Sequence, residues 1–204
     1  LFITIYISGR FELKWMISAV MAVALIGAVY VFTLVSVSIP FLIASALIVS
    51  LVLFWFLELK YAMGAIVALI HDVLITVSLF SLLKGILPFS LEINQEFIAA
   101  ILTIIGYSIN DTVVVFDRVR EFLGLNKNEK DLGLVINKAI NTTLSRTLIT
   151  SLTTLLVILI LFIFGGEGLK GFTFALLVGV AVGTYSSVCI ATPIVVDYMK
   201  KFGK

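Results

Sequence analysis

Residues 97–121 read FIAAILTIIGYSINDTVVVFDRVRE, and the reading of this stretch decides the fold. As a helix it is long and apolar enough to cross a bilayer, since about 20 apolar residues span the hydrocarbon core at ~1.5 Å each. Yet Asn110 and Asp111 interrupt the apolar run, and Asp117, Arg118, Arg120 and Glu121 close it. With the core laid over residues 98–117, Asp111 falls about 5 Å from the bilayer midplane. A carboxylate at that depth is costly, and such residues usually mark ion or proton pathways.

The whole chain carries the same signature. Of its 204 residues 61% are hydrophobic and 13% charged, with mean hydropathy +1.22. A soluble domain would carry a charged fraction of about 25%. The charges cluster between long apolar runs, which predicts a multispanning helical membrane protein; a β-barrel would show short alternating segments instead. A net charge of +2 does not point to nucleic acid. Cys189, the one cysteine, leaves no intrachain disulfide. His71, the one histidine, argues against a histidine-based metal site, and no cofactor is expected. The sequence begins inside an apolar run with no basic segment before it. No cleavable signal peptide is visible, and the chain reads as a piece of something longer.

Outward from residues 97–121, six spans are expected. Residues 1–14 read as the end of a truncated helix followed by a polar linker, and 15–37 as a first full span. Pro40 marks a very short turn before a span at 41–57, and 61–83 is a third. Residues 84–96 form a loop broken by Gly85, Pro88 and Asn94. After the fourth span, 118–141 is the longest polar connection. Within it Ile136, Ile140 and Leu144 run beside Asn137, Asn141 and Ser145, which predicts an amphipathic interfacial helix. Residues 143–164 make the fifth span, 165–171 a turn and 172–198 the sixth, before a basic tail at 199–204. Twelve of the fourteen Lys and Arg fall in the 10–14, 58–60, 118–146 and C-terminal loops; Lys84 and Lys170 lie opposite. The positive-inside rule makes the first group cytoplasmic.

Asp111 is the primary candidate for chemistry, with Asn110 beside it. Tyr107 lies four residues before it and Arg118 seven after, so the three share one helical face. A structural carboxylate bonded to a neighbouring helix is the plain alternative. Arg146, opening the fifth span in NTTLSRTLITSLTT, is the candidate cation; as a plain anchor it would snorkel to the interface. The threonines and serines around it suggest a wet internal seam, or simply bonds back to helix carbonyls. His71 and Asp72 sit mid-span in ALIHDVLIT, where a proton relay and a fixed hydrogen-bond lock fit equally. Asp117 and Arg118 read first as charges pairing at the interface, or as a gate at the cytoplasmic end. Gly171, Ala175, Gly179, Gly183, Ser187 and Ala191, all four apart, form a ladder for close helix packing.

GYSINDTVVVFDRVRE, with ALIHDVLIT before it and TLSRTLITSLTT after it, resembles the SecF family, or the F half of fused SecDF chains. The likeness runs from about residue 41 to 198 in order. GILPFSLEINQEFIAA and FGGEGLKGFTFALL look most like the fused form. The resemblance implies an all-α, six-span bundle of the resistance-nodulation-division type. It implies no enzyme, but an accessory that uses the proton-motive force to help preproteins through SecYEG in the bacterial cytoplasmic (inner) membrane. Asp111 corresponds to the family's proton-carrying carboxylate and Arg146 to its conductance-linked arginine. A SecD half or subunit, SecYEG, YajC, YidC, the translocating preprotein and membrane lipid are the implied partners. The family's periplasmic domain would stand between residues 37 and 41, where this sequence has no room for it, and the D half is absent too. Competing readings are a purely structural translocon subunit, a substrate exporter of the same fold, and an intramembrane aspartyl protease using Asp72 and Asp111. The last lacks the glycine-x-glycine-aspartate pattern, having Asn110 before Asp111.

Overall fold

The computed structural model describes residues 60–126, 129 and 131–202, with Tyr6, Val23, Ile26, Gly27 and Tyr30 as isolated positions ahead of them. The spans expected at 15–37 and 41–57, the N-terminal stretch, the junction at 37–41 and the last two residues of the tail lie outside the described residues.

The described part is helical, with four helices long and apolar enough to cross a membrane. α1 is Lys60–Leu83 and α2 is Gln95–Leu125. α3 is Leu132–Phe164, and α4 is Glu167–Ser186. α4 runs through a π-helical segment, Ser187–Ala191, into α5, Thr192–Phe202. Local chemistry explains the ends. α1 stops at Leu83 ahead of Gly85, whose φ of +81° a residue with a side chain adopts only under strain. The Asn94 side chain accepts the Phe97 N–H at 2.9 Å and caps α2. Asp131 does the same for α3, accepting from the N–H groups of Gly133 and Leu134.

Several boundaries differ from the sequence reading: α2 runs on to Leu125, the last helix continues to Phe202 through most of the expected tail, and two further differences concern α3 and the turn after it. α3 is one unbroken helix of 33 residues, about 50 Å long at 1.5 Å per residue. The expected interfacial helix and the fifth span are therefore a single rod, and Arg146 sits within it rather than at its start. No glycine or proline lies between Leu134 and Phe164 to break the ladder, so a change from amphipathic to apolar character does not end the helix. The expected turn at 165–171 shrinks to Gly165 and Gly166, because Glu167 opens α4 and pairs with Lys170 one turn on.

The π-helical segment has a local cause. Pro193 has no N–H, and its ring crowds the carbonyl one turn back, so the backbone widens just before it. Thr192 Oγ1 donates to the Ser187 carbonyl at 3.1 Å across the widened turn. The rod stays continuous.

α4 is the centre of the bundle and packs against α1, α2 and α3. Small residues let it approach. A Cβ on Gly179 would run into the Ile104 side chain of α2, and one on Gly183 would meet Ser108 Cβ at 3.3 Å. Gly171 lies under the Ser90 carbonyl, and Ala175 is fully buried. On α1, a Cβ on Gly64 would sit 2.6 Å from the Ala191 carbonyl. One apolar cluster gathers Phe80, Phe97, Ile104, Ala175, Leu176 and Val180. Another, displaced along the rods, holds Tyr61, Ala65, Val113, Phe116 and Val195. Between them lies a belt of buried polar side chains.

Candidate functional site: two buried carboxylates and an arginine cleft

Asp72 and Asp111 occupy that belt, and adjacent serines of one helix hold them. Ser186 Oγ donates to Asp72 Oδ2 at 2.8 Å, and Ser187 Oγ donates to Asp111 Oδ2 at 2.7 Å. Successive residues of a helix point about 100° apart, so one turn of α4 reaches both α1 and α2. The π-helical segment begins at Ser187.

The surroundings of the two carboxylates differ. Asp72, at the middle of α1, is 0% exposed. It also accepts from Ser108 Oγ of α2 at 2.7 Å, and His71 Nδ1 lies 3.1 Å from its other oxygen. A buried carboxylate without partners would cost several kcal/mol, and here the hydroxyls and the imidazole surround it. Asp72 thereby ties α1, α2 and α4 together. His71 is partly exposed, its side chain at 30%.

Asp111 is 8% exposed and opens on one side to a cavity of about 80 Å³. Tyr107, Asn110, Val114, Arg146, Thr147 and Thr150 line it with Asp111. Arg146 and Thr147 of α3 stand in the wall of this cavity opposite α2. A space of this size has room for water, which needs only about 10–15 Å³ for its centre. The site thus has a protein-bound side at Ser187 and a polar, open side towards Arg146. Tyr107 Oη donates to Ser151 Oγ at 3.2 Å, and Thr184 Oγ1 donates to the same oxygen at 2.8 Å, linking α2, α3 and α4 beside the cavity.

Arg118 does not reach Asp111 in the way their shared face predicts. Its Nε donates to Thr142 Oγ1 at 2.8 Å and its Nη1 to Glu121 at 2.6 Å, while the guanidinium stacks on Phe122. Arg118 therefore fastens the far end of α2 to α3. Asp117 lines the same end, with Arg118, Glu121, Thr142, Thr143 and Arg146, around a wider cavity of about 340 Å³.

The structure brings Tyr107, Asn110, Asp111 and Arg146 to one cleft and puts His71 and Asp72 on another face of the belt. The aspartates are held by different serines, an arrangement unlike two carboxylates sharing one proton. Ser108 and Ser186 were not singled out from the sequence, Thr147 and Ser151 were read only as part of a wet seam, and Ser187 only as a small packing residue. The available signal was the pair Ser186–Ser187 in an apolar span, since a membrane helix gains little from two consecutive hydroxyls unless they have acceptors.

Comparison with known proteins identifies the family. The family model for the C-terminal part of the protein export membrane proteins SecD and SecF matches residues 22–201. A protein translocase subunit SecF of Rhodothermus marinus is 61% identical over 140 residues, covering 69% of this chain and 45% of the relative. The SecF of Koribacter versatilis is 50% identical over 151 residues, covering 74% of this chain and 36% of that one. The chain thus spans less than half the length of these relatives. A crystal structure of SecDF in a super-membrane-facing form superposes with a TM-score of 0.64 at 41% identity, over 78% of this chain and 21% of that one. With a family model matched over most of its length, the chain belongs to the SecD/SecF family of protein export membrane proteins, as a SecF or as the F half of a SecDF.

Proposed function

We propose that this chain is the proton-handling membrane part of a Sec accessory subunit, which couples proton movement to protein export. The observation that carries the reading is the two-sided setting of Asp111: held by Ser187 on one side, open to the Arg146 cleft on the other. A carboxylate sealed on all sides exchanges no proton, and one fully in water has no control over when it does so. Asp111 stands between these limits, with the Arg146 cation in the wall of the same cavity. Release and reloading of its proton would then alternate an ion pair with a neutral contact across the α2–α3 cleft.

In the full protein the four helices described would belong to a six-span bundle of the resistance-nodulation-division type, paired with a SecD half or subunit. The 118–146 connection and the C-terminus would face the cytoplasm, where the basic residues gather. SecYEG and the translocating preprotein are the partners this role requires, and YajC and YidC follow only from the family likeness. Asp72, enclosed by its donors, serves as a fixed tie rather than as a relay.

The test is Asp111→Asn in the full-length chain, assembled with its D half in vesicles carrying an imposed proton gradient. Gradient-dependent export should be lost while assembly is retained. Unchanged export would remove Asp111 from the mechanism and leave the structural-subunit reading, which the Asp72 tie and the α4 seam independently favour.

A further inference from the structure

The Arg146 guanidinium makes no hydrogen bond to any of the described residues. Its N–H groups form a rigid fork whose geometry matches carboxylate and phosphate oxygens. Arg118, on the facing helix, is instead committed to Thr142, Glu121 and the Phe122 ring. Thr143 also stands out. Its neighbour Thr142 donates back to the Ala139 carbonyl, the ordinary fate of a hydroxyl in an apolar helix. Thr143 is 7% exposed, yet its hydroxyl has no partner among the described residues. A buried hydroxyl left so is unfavourable, which implies an acceptor from outside.

Arg146 and Thr143 both line the wider cavity of about 340 Å³ at the end of the α2–α3 cleft. Its rim is open, since the Arg118 and Glu121 side chains are 36% and 52% exposed. Arg118 and Arg146 are balanced in its wall by Asp117 and Glu121. A wall with both signs suits a ligand carrying one charge of each sign better than a simple anion. Depth narrows the choice. With the hydrocarbon core over residues 98–117, Asp117 falls about 15 Å and Glu121 about 20 Å from the midplane, the level of the headgroups. Towards the bilayer centre, Ile149 and Leu152 of α3 are exposed and apolar, as acyl chains require.

We propose that this cavity holds the headgroup of a zwitterionic, amine-bearing phospholipid, with its phosphate on Arg146 and Thr143 and its ammonium towards Asp117 and Glu121. Phosphate oxygens only accept, which is what the guanidinium and the hydroxyl lack, and the bond to the guanidinium is charge-assisted. The Thr143 hydroxyl turns into the cavity by rotation about one bond. An ammonium only donates, and the carboxylates opposite only accept. The lipid would brace α2 against α3 where both helices leave the membrane. The proposal stands whether or not Asp111 carries a proton.

The test counts lipid. The full-length chain, assembled with its D half, is extracted from vesicles of equal phosphatidylethanolamine and phosphatidylglycerol, and retained lipid is measured by native mass spectrometry. Retention of phosphatidylethanolamine about fivefold over phosphatidylglycerol is expected. Arg146→Gln should cut it about tenfold, since it removes a charge-assisted contact. Thr143→Val should cut it too, and Thr143→Ser should restore it. Asp117→Asn combined with Glu121→Gln should erase the preference for the amine-bearing lipid. Retention unchanged in both Arg146→Gln and Thr143→Val would overturn the site. Equal retention of the two lipids by the unmodified assembly would overturn the zwitterionic assignment, and displacement of the lipid by millimolar inorganic phosphate would reassign the cavity to a free anion. Should a variant fail to assemble, the unmodified assembly decides. Phosphatidylethanolamine with a diazirine on the acyl chain near the glycerol should cross-link to α3 between residues 142 and 152. Cross-links elsewhere on the chain but none there would overturn the proposal, as a side chain of the D half filling the cavity would produce. Neither readout needs export, so wild-type export from Asp111→Asn would sink the proton reading alone.

Discussion

The Ser187 hydroxyl of the π-helical segment donates to Asp111 Oδ2 at 2.7 Å, which joins the central helix to the carboxylate of α2. A hydrogen bond to a charged group contributes about 1.5–3 kcal/mol. Ser187→Ala should therefore lower gradient-driven export about tenfold or more, and Ser187→Thr, which keeps the hydroxyl, should restore most of it. Export assays on the three chains side by side check this. Equal activity in all three would mean that Ser187 only packs.

The fixed tie at Asp72 makes a different forecast. Its three neighbours Ser108, Ser186 and His71 lose their partner in Asp72→Leu, and each of the two buried serines left without it costs about 1–3 kcal/mol. Thermal unfolding in detergent should show Asp72→Leu clearly less stable than wild type, with Asp111→Asn close to it. If the two variants melt together, Asp72 is not the tie between α1, α2 and α4.

Packing along the seam is tested at Gly179. A methyl group there meets Ile104, and overpacking of this kind destabilises by about 1–3 kcal/mol. Gly179→Ala should lower the melting temperature, and Ile104→Ala in the same chain should recover part of the loss. Purely additive destabilisation in the double variant would place the contact elsewhere.

At Arg146 the charge is separable from the shape. Arg146→Lys keeps a cation beside Asp111 and should retain part of the proton-driven activity, while Arg146→Ala should lose it. Vesicle export measured against an imposed gradient distinguishes them, and wild-type activity in both would reduce Arg146 to a membrane anchor.

Much of this architecture was legible in the residues. The helix through Asp111 was visible because an apolar run of membrane length is hard to build any other way, and the structure extends it only by short turns, to Gln95–Leu125. The loop between α1 and α2 was marked by Gly85 and Asn94, which bend and cap it. The α2–α3 connection was less legible. Ile136 and Asn137 advertise an amphipathic helix, but periodicity says nothing about whether that helix stops before Arg146. The site was half legible. Asp72, Asp111 and Arg146 stand out by charge in an apolar setting, whereas Ser108, Ser186 and Ser187 are ordinary residues until their acceptors are known. The π-helical turn was hidden for another reason: Pro193 warns of a disturbance, but a proline can break, kink or widen a helix, and periodicity does not say which.

The paired serines have one more consequence. A hydroxyl owns a single hydrogen, yet Ser187 lies within bonding distance of both Asp111 and the Thr184 carbonyl, at 2.7 and 3.0 Å. Ser186 is placed likewise between Asp72 and the Gly183 carbonyl, at 2.8 and 3.1 Å. Each can satisfy only one acceptor at a time, and each changes its choice by rotating one bond. Each clasp between α4 and its neighbours is therefore a swivel, able to turn from the carboxylate to a carbonyl of its own helix without moving the backbone.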